Sequence, residues 1–155
     1  MKTLTLALAL TAITLPALAQ AREVTFTAEL KSYRGDGAYA AFYLTDAKGQ
    51  YQETLWVAGQ KSKYFKHLRD WARGSGMSSS EYDGLTGASI SSGHTLQFTA
   101  DIADELIDAG YEVRVDTAVE DMRENRADVV MPLTTEGAGK PVAGRGYVQS
   151  LGYTF

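Results

Sequence analysis

The chain has 155 residues with no cysteine, 15 basic against 19 acidic side chains, and a net charge of −4 at neutral pH. That balance offers no electrostatic footing for nucleic acid, whose phosphates call for a basic surface. The missing thiols exclude disulfides, thiolate metal sites and thiol nucleophiles within the chain.

Residues 1–21 read as a secretory signal peptide. Met1-Lys2 is a short positive head, residues 4–15 are apolar apart from threonines, and Pro16-Ala17-Leu18-Ala19 puts small residues where a signal peptidase reads. Cleavage after Ala19 or after Ala21 fits the Ala-x-Ala pattern, and neither leaves the leading cysteine of a lipoprotein. The apolar run falls short of the ~20 residues that a membrane span needs. No second long apolar run follows, so residues 22–155 are expected to form one periplasmic domain that is not embedded in the membrane. Its core should be large enough to do without disulfides.

Val24, Phe26, Ala28 and Leu30 alternate with Thr25, Thr27, Glu29 and Lys31, which predicts a strand with one face in a core. Arg34-Gly35-Asp36-Gly37 is a turn. Ala40, Phe42 and Leu44, opposed to Tyr39, Ala41 and Tyr43, predict a strand over 38–45. Asp46-Ala47-Lys48-Gly49 then makes a hairpin loop, and a third strand over 50–58 carries Tyr51, Leu55, Trp56 and Val57. The period changes at residue 62. Tyr64, Leu68 and Trp71 at i, i+4 and i+7 predict one amphipathic helix over 62–73, N-capped by Ser62, that closes one end of the sheets. Its outer side, Lys63, Lys66, His67, Arg69 and Arg73, is a solvated face.

Alternation resumes over 94–101, with Leu96 and Phe98 inward, and an acidic connector is expected over 102–110. Tyr111, Val113, Val115 and Val119 then oppose Glu112, Arg114, Asp116 and Glu120 in a long strand, followed by a charged hairpin loop over 120–127. Val129, Met131 and Leu133 predict a short strand, the glycine-rich segment 134–146 a loose surface loop, and Tyr147, Leu151, Tyr153 and Phe155 a closing strand. Seven short strands with turns between them and one helix predict an all-β antiparallel sandwich of the immunoglobulin or fibronectin type III kind. A small barrel is the alternative.

His67 and His94 are the only histidines. His94 lies close in sequence to Ser89 and Ser91, and Asp83 or Asp101 could orient it. Yet no Gly-x-Ser-x-Gly elbow surrounds either serine, so a hydrolytic triad is not expected. The histidine spacing builds no zinc site. Asp101, Asp104, Glu105 and Asp108 lack the glycine and alternate spacing of a calcium loop, and read as solubilising charges. One stretch has chemical character: Asp83-Gly84-Leu85-Thr86-Gly87-Ala88-Ser89. Its glycines permit a tight exposed loop, and its slim residues leave a hydroxyl open to approach.

That stretch resembles the acceptor sequence Asp-x-x-(Ser/Thr)-Gly-Ala-(Ser/Thr) of bacterial flavin transferases, which join FMN from FAD through a phosphodiester to the last hydroxyl. The resemblance implies Asp83 as the acid, Thr86-Gly87-Ala88 as the slim centre and Ser89 as the acceptor, where the usual residue is Thr. More widely, Tyr43-Leu44-Thr45-Asp46, Thr54-Leu55-Trp56, Tyr64 with Leu68 and Trp71, the Asp83 stretch and Gly110-Tyr111-Glu112-Val113 resemble the predicted periplasmic family called domain of unknown function 2271. Members of that family tend to be encoded near flavin transferases and PepSY-type membrane proteins linked to iron or electron transfer. The two resemblances together imply a periplasmic β-sandwich without catalysis of its own that carries FMN on Ser89. Its partners would be a flavin transferase and a membrane redox protein. Tyr82, Trp71 or Tyr64 would stack on the flavin ring, and a Lys or Arg of the helix would face its phosphate. The plainer reading is a glycine turn within an unmodified binding module.

Overall fold

The computed structural model describes residues 19–155; the greater part of the expected signal peptide lies outside the described residues. Among the described residues eight strands form: β1 (Ala21–Leu30), β2 (Tyr39–Thr45), β3 (Tyr51–Ala58), β4 (Thr86–Gly87), β5 (Thr95–Ala103), β6 (Glu112–Ala118), β7 (Glu124–Pro132) and β8 (Val148–Thr154). They assemble into a three-stranded sheet, β5-β1-β8, and a five-stranded sheet, β4-β3-β2-β6-β7. All pairings are antiparallel except that of β4 with β3. The molecule is an all-β sandwich of two separate sheets, as the alternating patterns predict.

The inward residues of β1, Val24, Phe26, Ala28 and Leu30, are all buried. They meet Phe42, Leu44, Val113, Val115 and Met131 from the larger sheet in the core between the layers. Phe98 is stacked on Phe26 at 5.1 Å between ring centroids and meets Phe42 edge-on at 5.0 Å. Both arrangements are favoured by the ring quadrupole.

The other face of β2 is buried as well. Ala41 and Tyr43 join Val57, Phe65, Leu68, Trp71 and Ala118 in a second core on the outer side of the five-stranded sheet. The segment predicted as one helix supplies its cover, so it forms a third layer across a sheet face and does not close an end. Nor is it one helix. A 3₁₀ turn, Ser62–His67, is followed by Leu68 at φ −87° and ψ 76°, and only then by helix α1 (Arg69–Ser75). Ser62 makes no capping bond. The break follows from burial: Phe65, Leu68 and Trp71 must all point at the sheet, a spacing of three that suits a tighter turn. α1 ends at Gly76, whose φ of 63° is the left-handed stop that glycine allows.

Three further expectations are corrected. β5 runs on to Ala103, opposite Ala21, so the acidic connector lies over 104–111 and opens with a 3₁₀ turn, Asp104–Leu106. The amide of Asp104 donates to the carbonyl of Gln20. β7 begins at Glu124, which pairs with Ala118, so the charged hairpin loop is much shorter than 120–127. The segment 134–146 is tied down. The Tyr153 hydroxyl accepts from the Thr134 amide at 2.8 Å, Val142 bridges Leu151, and the buried Asp128 carboxylate accepts from the amides of Gly146 and Tyr147.

Candidate functional site

The stretch 83–89 begins as a turn, with Gly84 at φ 79°. It then becomes a strap. The carbonyls of Leu85 and Gly87 accept from the amides of Val57 and Gly59, both at 2.8 Å, which lays β4 along the free edge of β3. Immediately afterwards Ile90 exchanges two backbone bonds with Ala38, at 2.7 and 2.9 Å. The expected tight loop is therefore a short edge strand clamped at both ends. Only its first part, at Asp83 and Gly84, is a true turn.

Gly87 and Gly37 have a steric reason. A Cβ on Gly87 would lie 2.6 Å from Cζ2 of Trp56, and one on Gly37 would lie 2.6 Å from Oγ of Ser89. Gly37 thus leaves a slot over which the Ser89 hydroxyl sits. In contrast, Asp83, Thr86, Ala88 and Ser89 are exposed. No hydrogen bond among the described residues uses the Asp83, Thr86 or Ser89 side chain. Backbone pairing fixes the strap while these groups stay free.

Ala88 and Ser89 form one lip of a cavity of about 530 Å³. The remaining walls come from residues 36–39, from 60–67 and from the β6–β7 hairpin. Asp83, Thr86 and Gly87 do not reach it, so the structure brings only part of the predicted motif to the cavity. Tyr39 and Tyr64 supply its aromatic wall, edge to face at 5.7 Å. The Lys61 amide donates to the Tyr39 hydroxyl at 3.2 Å, tying the wall to the chain that leads into the 3₁₀ turn. A 530 Å³ volume with aromatic sides and a few polar groups is typical of a small-molecule site.

The cavity also holds a pair that sequence reasoning missed. His67 Nδ1 contacts Glu124 Oε1 at 2.5 Å, and Glu124 Oε2 accepts from Arg69 Nε at 2.6 Å. The Arg69 guanidinium holds the Glu124 carboxyl below its usual range, with His67 adding to the effect. An ionised Glu124 makes Nδ1 the protonated nitrogen and leaves Nε2 free. Nothing in the spacing of residues 67 and 124 announces this contact; it exists because β7 begins at Glu124.

The expected contacts to a flavin are redistributed. Trp71 is fully buried, with its indole N–H donating to the Thr54 hydroxyl at 2.9 Å, so it cannot serve as a platform. Tyr82 packs edge-on against Phe65 at 5.2 Å and belongs to the second core. Tyr64 lines the cavity, joined by Tyr39, which the alternation had placed only on an outer face. Among cations, Lys61 lines the cavity in place of the helix cations, and Arg69 is occupied by Glu124. Asp36, Glu120 and Asp121 give the rim a mainly acidic character.

For a tethered FMN the lip and the aromatic wall are suitable, while the mainly acidic rim is unfavourable to its phosphate. An open hydroxyl lies over a slot that a Cβ would fill, beside a cavity of adequate volume with aromatic walls. Among the described residues no helix is long and apolar enough to cross a membrane. No curated protein and no solved structure matches the chain. A family model described as "Predicted periplasmic protein (DUF2271)" matches residues 21–150, from the first residue of β1 into β8. The chain therefore belongs to the DUF2271 family of predicted periplasmic proteins.

Proposed function

We propose that the protein is a periplasmic electron carrier whose FMN is attached to Ser89 by a flavin transferase, with a PepSY-type membrane reductase and a periplasmic acceptor, such as ferric iron, as redox partners. The observation that carries this reading is the position of Ser89, an exposed hydroxyl without a role in the fold, over Gly37 on the lip of the cavity. In the attachment step Ser89 Oγ attacks the FMN-side phosphorus of FAD. The bond to AMP breaks, AMP leaves, and the hydroxyl proton passes to the transferase. When bound, FMN supplies reversible one- or two-electron transfer.

The chain contributes position and environment. The backbone clamps on either side of the strap hold Ser89 still while leaving it open to a second enzyme. Tyr39 and Tyr64 offer faces for a planar ring, and Lys61 is the lysine that lines the cavity and would face the phosphate. The acidic rim favours a second reading, an unmodified module that binds a neutral or cationic small molecule in the same cavity.

Intact mass separates the two. The mature protein is co-expressed with a flavin transferase that modifies a control substrate, with FAD available. The expected result is a mass gain matching FMN that vanishes in Ser89→Ala and survives in Thr86→Ala. No gain in the wild-type protein overturns the carrier reading.

A further inference from the structure

We infer that His67, held in place by Glu124, is the polar contact through which the cavity engages the flavin ring; this rests on attachment of FMN at Ser89. Three separate elements converge to fix one imidazole. His67 ends the 3₁₀ turn, Arg69 opens α1 and Glu124 opens β7. Arg69 holds Glu124 through Nε at 2.6 Å and Nη2 at 3.4 Å, and Glu124 in turn holds His67 Nδ1. The His67 side chain is 39% exposed and lines the cavity.

Such a network of exposed charges adds little to stability, because solvent screens it and ordering long side chains opposes it. What it does accomplish is orientation. With Nδ1 bonded to Glu124, the ring cannot turn freely, and Nε2 is the one nitrogen left to meet a ligand. The carboxylate–imidazole pairing is the same device that fixes ring orientation and tautomer at metal and catalytic sites. The pyrimidine edge of a flavin presents both carbonyl acceptors and an N–H donor, so either protonation state of Nε2 finds a partner there. Tyr64, whose ring centroid lies 6.5 Å from that of His67, would flank the same ring. His67 is thus the contact residue, and Glu124 is a positioning residue.

The test uses the covalently loaded protein and compares wild type with His67→Ala, Glu124→Gln and Lys66→Ala. Lys66 is exposed on the same turn but does not line the cavity. FMN loading is checked by mass, folding by far-UV circular dichroism, and the flavin by fluorescence and midpoint potential. The expected result is a change of about tenfold in the oxidised-to-reduced equilibrium for His67→Ala. For a two-electron couple that is about 30 mV. Glu124→Gln should move it in the same direction by less, and Lys66→Ala should leave it unchanged. Full loading of all four proteins with no change of potential or fluorescence in His67→Ala overturns this inference alone. A folded His67→Ala that fails to load also overturns it, assigning the histidine to transferase recognition instead. Absence of FMN from the wild type after co-expression with an active transferase overturns both this inference and the attachment reading.

Discussion

Asp116 ties three elements together through one buried carboxylate. Oδ1 accepts from the Tyr43 hydroxyl at 3.0 Å and the Ala127 amide at 2.8 Å, while Oδ2 accepts from the amides of Asp70 and Trp71 at 2.7 and 2.9 Å. Burial raises its pKa above the ordinary 3.8, and the Trp71 and Ala127 amides act against that rise. The sign follows: a raised folded-state pKa means a contribution fully present below the unfolded value and eroded as pH rises through the folded one. At neutral pH the charge therefore carries a desolvation cost, and the four donors offset it. Asp116→Asn leaves one acceptor oxygen for four donors and turns an N–H₂ group toward some of them. The expected loss is about 2–4 kcal/mol, measured by urea unfolding at pH 7. A loss within ~0.5 kcal/mol, the range of ordinary surface changes, would show that these bonds do not hold α1 to the sheet. The role of Asp116 was hidden from the sequence because alternation counts residues singly. Asp116 stands opposite Ala41 on the outer face of the sheet, as the pattern puts it, and the helical layer that covers this face buries it. Val113 and Val115 face the inter-sheet core, also as the pattern puts them.

Among the elements, the β4 strap divides into residues that the fold explains and residues that it leaves free. Gly87 is explained, since Trp56 is itself stacked on Phe98 at 5.7 Å with 16° between the ring planes and has little room to swing away. Gly87→Ala forces a methyl into that contact and should cost about 1–3 kcal/mol, as overpacking does elsewhere. Ser89→Ala, at an exposed position, should stay within ~0.5 kcal/mol. Chemical unfolding of the two variants side by side checks this, and equal midpoints would mean that the strap does not lie against Trp56. The comparison matters for function. A glycine required by a neighbouring indole needs no cofactor to account for it, whereas an open hydroxyl at Ser89 gains its meaning only from what approaches. The motif letters were legible in the sequence. The parallel pairing to β3 was not, because Thr86 and Gly87 form a strand too short to show a period. The helical segment was half legible: its apolar residues were identified, but a 3.6-residue period was imposed on side chains that the sheet holds at a spacing of three.

On the scale of the whole molecule, the two cores share one sheet. Ala40, Phe42 and Leu44 face the inter-sheet core while Ala41 and Tyr43 face the helical layer, so β2 is buried on both sides. Alternation cannot distinguish Ala41 and Tyr43 on a second core from small and aromatic residues at a surface. For that reason the sandwich was readable from the sequence and the third layer was not. The shared sheet has a thermodynamic consequence. Removing the helical layer would expose Trp71, Leu68 and Phe65 together with the outer face of β2. Losing the smaller sheet would bare the inner face of the same strand. Neither core has a sheet of its own on which to persist, so both should unfold in one cooperative transition. The two tryptophans allow a direct test, since Trp56 packs against the inter-sheet core and Trp71 lies within the outer one. In Trp71→Phe, emission reports Trp56 alone; in Trp56→Phe, it reports Trp71 alone. Each variant will have its own stability, so the comparison is made within a variant, between tryptophan emission and far-UV circular dichroism. Coincident urea midpoints are expected in both proteins. If the Trp71 signal in Trp56→Phe were lost at lower urea than the β-sheet signal, the helical layer would be a separately melting unit, and the cavity wall formed by residues 60–67 would open with it.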